Sequence, residues 1–182
     1  MAKIINGTRV VTNTVRASYA YVAEPKAING GDPRYSLSVI IPKDDKETLD
    51  LISKAIDNAI TAGIPKFGGK KPNKAALKLP LRDGDVERDD EAYQNAFFIN
   101  CNSKNAPAVV DESRHLADAN IIYSGCYCRV SISFYAFSVN GNRGIAAGLG
   151  NIQFVRDGER LGGPYITAAD DFGAAEDDDF LS

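Results

Sequence analysis

The chain has 182 residues, 44% of them apolar, with 8 Tyr, 8 Phe, no Trp and a net charge of −3. That length suits one domain with its own core plus a short appendage. No run approaches the ~20 apolar residues of a membrane span. Met1-Ala2-Lys3-Ile4-Ile5 lacks the apolar core and cleavage site of a secretory signal, so a cytoplasmic, reduced protein is expected.

Residues 8–23 are rich in Val, Thr and Tyr and predict one long strand, bulged or bent because its apolar parity is not constant. Residues 24–32, with Pro25 and Gly30-Gly31, read as a loop. Tyr35 to Ile41 is a clear strand, with Tyr35, Leu37, Val39 and Ile41 on one face and Pro42 ending it. Asp44 or Asp45 caps a helix to about Ala62, whose Leu49, Ile52, Ile56 and Ile60 recur at helical spacing, and Gly63 stops it.

Residues 63–82 differ in kind. Lys66, Lys70, Lys71, Lys74, Lys78 and Arg82 occur with no acid, beside Phe67, Gly68-Gly69 and Pro65, Pro72 and Pro80, which predicts a mobile basic insertion. Residues 83–91 reverse the sign, with Arg88 alone among acids. Short strands are expected at 96–101 and 107–110, and the strongest strand at Tyr127–Val139. Gly141 turns that strand into a glycine-rich one over 144–155, completing a hairpin. The order predicts a mainly β protein with helical decoration, and the leading architecture is an OB fold, a five-stranded, partly open barrel. The domain is expected over residues 1–165, with 63–91 as a basic/acidic insertion loop.

The strand at Tyr127–Val139 separates into two faces. Cys128, Val130, Ile132, Phe134 and Ala136 suit a core; Tyr127, Arg129, Ser131, Ser133, Tyr135 and Phe137 form the other face. Aromatic planes, a guanidinium and small hydroxyls are what a single-strand binder needs for stacking, phosphate contact and close approach, although packing under a loop or in a dimer interface uses the same rings. The candidate DNA-binding residues are therefore Tyr127, Arg129, Tyr135 and Phe137, with Lys66, Phe67, Lys70, Lys71, Lys74, Lys78 and Arg82 from the basic segment. Each phosphate neutralised there releases counterions.

Signals for other chemistry are thin. Cys101, Cys126, Cys128 and the lone His115 contain the atoms of a zinc site, but C-x-C lacks the usual knuckle spacing, and buried inert thiols are the plainer reading. Asp83, Asp85, Asp89 and Asp90 offer carboxylates for a Mg²⁺ nuclease but read as a solvated turn. Gly144 to Gly150 lacks a nucleotide-loop spacing and reads as a bending strand. No cofactor, metal or enzymatic activity is expected.

The last thirteen residues hold six acids and no base, which leaves residues 1–169 at +3 (21 basic, 18 acidic). Such a block repels itself and is expected to be a disordered tail over 166–182. Phe180 and Leu181, directly after Asp177-Asp178-Asp179, add an apolar anchor that a partner with a basic pocket can capture.

Several segments together resemble a family of phage-encoded single-stranded-DNA-binding proteins with an OB fold and an acidic tail. They are YSLSVIIPK (35–43), LPLRDGDVER (79–88), Phe98-Ile99-Asn100, Val109-Val110-Asp111, YSGCY (123–127) and GLGNIQ (148–153). The resemblance implies non-sequence-specific binding of single-stranded DNA in phage replication or recombination, inside the infected bacterial host. It implies a tail that recruits phage or host replication proteins, and no catalysis. Here Leu181 and Ser182 follow Phe180, whereas such tails often end on the aromatic. A homodimer is left open. The competing readings are a phage structural or assembly protein with an acidic interaction tail, and a Mg²⁺-dependent nuclease.

Overall fold

A computed structural model of the protein describes residues 1–27, 30–161 and 172–173. Its strands are β1 (Lys3–Ile5), β2 (Arg9–Val11), β3 (Val15–Lys26), β4 (Arg34–Pro42), β5 (Leu81–Asp83), β6 (Ala96–Ser103), β7 (Val109–Val110), β8 (Tyr127–Val139) and β9 (Asn142–Arg156). Two α-helices accompany them, α1 (Lys46–Ala62) and the single turn α2 (Gly84–Glu87). The molecule is mainly β with helical decoration, and all the strands belong to one sheet.

Part of that sheet returns on itself. β3 pairs antiparallel with β4, and β4 with β6. β6 meets β9 in parallel at Asn102 and Gly148. β9 runs antiparallel to β8 along nearly its whole length, and β8 rejoins β3 through Val15–Cys128 and Arg16–Tyr127. Backbone bonds from Ala17 N–H to Cys126 C=O and from Gly125 N–H to Ala17 C=O lengthen that last seam. This connectivity is OB-like. β1 and β2 extend the sheet beyond β8, β5 pairs β6, and β7 pairs β9.

Strand parity decides what fills the ring, because successive side chains point to opposite faces. Leu37, Val39 and Ile41 of β4, Ile99 and Cys101 of β6, and Cys128, Val130, Ile132, Phe134 and Ala136 of β8 share one buried core. Each fully buried branched side chain there contributes about 1.5–3 kcal/mol. α1 packs against β1, β2, β8 and β9, and Ile52, Ala55, Ile56, Ala59 and Ile60 join the same core. Its cap is Asp45, whose carboxylate accepts from Thr48 N–H at 3.2 Å. Thr48 Oγ1 accepts in turn from Asn13 N–H at 3.1 Å, tying the helix start to the β2–β3 connection.

The structure departs from the sequence expectation in three places. The long strand is two, β2 and β3, because Thr12 turns inward, fully buried, and its Oγ1 accepts from Val130 N–H. The N-terminal hairpin was not anticipated, although Asn6-Gly7, both at positive φ, is its turn signal. The basic segment is not a free insertion. Phe67 and Leu77 are buried, and Lys78 is laced to β9 by bonds with Arg143 and Ile145.

That lacing sets a steric requirement at Gly144, where a methyl group would overlap the Lys78 carbonyl. Gly144→Ala should therefore lower stability by about 1–3 kcal/mol in chemical denaturation, the range for overpacking. Wild-type stability would mean that the segment moves off β9 freely.

Candidate nucleic-acid interface

β3 shifts register against β4 between Ser18 and Tyr21, as expected of a bulge, and Tyr19 there takes a left-handed backbone with φ 46°. Its ring is directed outward and stays 50% exposed. Tyr19 and Tyr21 border a groove of about 760 Å³ that also takes in Ser36 and Ser38 of β4 and Asn100 and Asn102 of β6. These polar residues alternate with Leu37, Ile99 and Cys101, which point into the core. Lys26, Arg34 and Arg88 bring three cations to the lining and Asp32 one acid, with Gly31 and the edges of Leu37 and Cys101 completing it.

Hydrogen bonds fix much of this lining. Arg34 Nη1 donates to Asn102 Oδ1 at 3.1 Å. Lys26 Nζ donates to Tyr21 Oη at 3.0 Å and lies 4.5 Å from that ring's centroid. Beside the groove, Ile40, Tyr93, Ala96 and Phe98 form a second small core, with Leu161 packed against it. Tyr93 meets Phe98 edge-on at 5.2 Å and donates its hydroxyl to Ser38 Oγ at 3.0 Å. A further cleft of about 560 Å³ lies past this cluster, bordered by Arg16, Ile40, Lys43, Ala92, Ala96 and Tyr127.

The acidic stretch after β5 is structural. Lys43 Nζ bridges Asp85 at 2.7 Å and Asp83 at 2.9 Å. The hydrogen bonds to Asp85 and Asp83 raise the Lys43 pKa, and the Lys43 hydrogen bond lowers that of Asp85. Asp83 and Asp90 also cap the turns that follow them. Among the described residues no three His, Cys, Asp or Glu side chains assemble as a metal site. Cys101, Cys126 and Cys128 are buried, whereas His115 is 81% exposed and faces Asp111 at 3.8 Å.

The residues singled out in the sequence are not gathered in this groove. In the basic segment, Phe67 is buried, and a methyl at Gly63 would crowd its ring. Lys66 donates to Ala136 C=O, Lys74 pairs with Asp57 at 2.8 Å, Lys78 donates to Asn142 and Arg82 pairs with Glu87 at 2.6 Å. Lys70 and Lys71 are exposed and make no hydrogen bond or ion pair among the described residues. On β8, Arg129 is committed to the N-terminal hairpin, donating to Thr12 C=O at 2.9 Å and Met1 C=O at 2.6 Å. The Tyr127 ring has Arg156 at 4.1 Å and Arg16 at 5.5 Å. Tyr135 is 45% exposed and Phe137 half-buried. The tail residues Asp177, Asp178, Asp179, Phe180 and Leu181 lie outside the described residues.

A family model described as "Enterobacter phage Enc34, ssDNA-binding protein" matches residues 8–181, and the chain belongs to that family. A protein named p50 of Acyrthosiphon pisum secondary endosymbiont phage 1 is 28% identical over 187 residues, covering 96% of this chain and 99% of that one. Among solved structures, the chain is similar to the single-stranded DNA-binding protein of bacteriophage Enc34 in complex with ssDNA, at TM-score 0.74 and 24% identity over 88% of this chain and 97% of that one. It is also similar to gp2.5, a single-stranded DNA binding protein encoded by bacteriophage T7, at TM-score 0.59 and 18% identity over 83% of this chain and 93% of that one.

Cys101 sits at the boundary between groove and core. Its thiol donates to Leu37 C=O at 3.3 Å, and burial pushes its pKa up to about 12 from an ordinary value of 9.0. The folded state favours the neutral thiol, so this contribution is complete below about pH 9 and is lost as pH rises towards about 12. Wild type should lose stability over that window faster than Cys101→Ala in denaturant titrations, and native Cys101 should resist iodoacetamide at pH 8. Rapid alkylation of the folded protein would contradict the burial.

Proposed function

We propose that this protein binds single-stranded DNA, with weak sequence preference, in phage replication or recombination within the bacterial cytoplasm. The reading joins the family membership to one structural observation: the groove across β3, β4 and β6, which sets two tyrosines beside cations over a polar floor. In it, bases stack on aromatic planes while cations follow the backbone, the division of labour of single-strand binders on five-stranded, partly open OB barrels. The body is taken as residues 1–165 and the tail as 166–182. The exposed Tyr135, with Phe137 beside it, offers the strand a second stacking position on β8. Lys70 and Lys71 add sequence-independent attraction, since their ammonium groups have no acid beside them.

The tail reading has support at its root. Leu161 packs on the small core beside the groove, and its N–H donates to Ser124 C=O at 3.0 Å. The chain thus reaches residue 161 beside the surface proposed to bind DNA, and in sequence the acidic block follows from Asp170. Tethering gives it an effective concentration of up to roughly millimolar there. Its carboxylates compete with phosphate for the basic surface, and Phe180 and Leu181 anchor replication partners when the tail is captured.

Fluorescence anisotropy with oligo(dT), a mixed-sequence strand and a duplex tests the reading, with salt-sensitive preference for both single strands expected. Equal or absent binding would reject it. Tyr19→Ala should weaken oligo(dT) binding by about 1–3 kcal/mol, as expected for a lost stacking ring, while an abasic oligomer of the same length should lose much less. Replacing Lys70 and Lys71 together with Ala should make the log–log salt slope shallower by up to about 0.7 per lost phosphate contact. Truncation after Ala169 should tighten oligo(dT) binding most at low salt, where screening is weakest. Unchanged affinity across salt would leave the tail as a tether only.

A further inference from the structure

Arg88 is the one cation in the acidic run 83–91, and it borders the groove. Its guanidinium lies 4.9 Å from the Tyr93 ring centroid, 5.0 Å from Phe98 and 5.4 Å from Tyr19. Three rings thus hold one planar cation. Despite the acids around it in sequence, the Arg88 side chain makes no hydrogen bond or ion pair among the described residues. Arg82, six residues earlier on the same segment, shows the contrast, since its Nε and Nη2 are both spent on Glu87.

Four of the six acids in 83–91 are engaged elsewhere, and the other two, Asp89 and Glu91, are exposed and make no ion pair with Arg88. Asp83 and Asp85 hold Lys43, Glu87 holds Arg82, and Asp90 caps the turn before Tyr93. A guanidinium is weakly hydrated and stacks well on aromatic faces, but stacking uses its plane and leaves its N–H edge unspent. Those donors form a fork that matches a phosphodiester. Because the rings have already fixed the side chain, little rotamer freedom is left to lose on binding.

We infer that Arg88 is a preset phosphate-binding residue in the groove, its guanidinium held by Tyr19, Tyr93 and Phe98 with its N–H edge open to the DNA backbone. The inference rests on the single-stranded-DNA reading and deepens it. Tyr19 then has two duties: one side of its ring helps hold Arg88, and the exposed remainder takes a base. Base and phosphate of neighbouring nucleotides are fixed by one rigid unit.

The test uses the full-length protein, with an oligo(dT) strand and an abasic phosphodiester oligomer of the same length, titrated over a salt series. Arg88→Met keeps the stem over the rings but removes the charge and donors. It should weaken binding to both oligomers about tenfold, the scale of hydrogen bonds to a charged group, and make the salt slope shallower by about 0.7. Arg88→Lys keeps the charge but loses the fork, so the slope should hold while affinity falls severalfold. It also carries the test if Arg88→Met fails to fold. A structural staple alone would lower the melting temperature of either variant without moving slope or affinity, which would overturn the proposal. Wild-type affinity for Arg88→Lys would also overturn it. If wild type itself binds neither oligomer, the single-stranded-DNA reading has failed, whereas a binding wild type with an indifferent Arg88→Met rejects the phosphate residue alone.

Discussion

Closure of the strand ring is the constraint on which the rest depends. Once β3, β4, β6, β9 and β8 return on themselves, inward side chains must fill one enclosed volume, and only outward ones remain for function. The closure is unevenly held. β8 and β9 share a long antiparallel ladder, whereas β6 touches β9 in register only at Asn102–Gly148 and β8 meets β3 over Val15 and Arg16. β3 pairs with β8 at its start while pairing with β4 from Arg16 onward. The bulge at Ser18–Tyr21 lies just past the β8 seam and exposes Tyr19. The same irregularity serves both architecture and candidate site.

Much of the fold was legible because periodicity reports local geometry directly. The β8 core set, the β4 face and the capped helix α1 all fall where alternation and spacing put them, since each needs only neighbours in sequence. The candidate site was less legible because availability depends on distant partners. Arg129 looked free on its strand face, but the carbonyls of Thr12 and Met1, 117 and 128 residues away, take its donors. Phe67 sat among lysines, yet its ring closes the core beside Gly63. The signals for the groove were present but weak: a parity slip beside two tyrosines, and one arginine alone among acids.

Charge counting has the same limit. Residues 63–82 carry only positive charge, but local neutralisation decides how much of it attracts a polyanion. Lys74 and Arg82 are paired, and Lys66 and Lys78 are held by oxygens of the β8–β9 hairpin. Exposed pairs of this kind are worth little to stability. Their effect here is to subtract cations from the surface field and leave Lys70 and Lys71 as its freest members.

Arg88 shows the opposite arrangement. It lies in the most acidic stretch of the body yet has no acid partner among the described residues: Asp83, Asp85, Glu87 and Asp90 have other partners, and Asp89 and Glu91 stay exposed. A cation left without a counterion is unfavourable in a poorly solvated place, and aromatic faces offset part of that cost while leaving the N–H edge unspent. Neutralising Arg88 with a protein carboxylate would be a simple solution for stability alone. Holding it with rings instead keeps its donors available to a ligand that arrives with its own negative charge. That choice makes sense of why Tyr93 and Phe98 form a small core outside the ring: together they build the wall from which one guanidinium faces the groove.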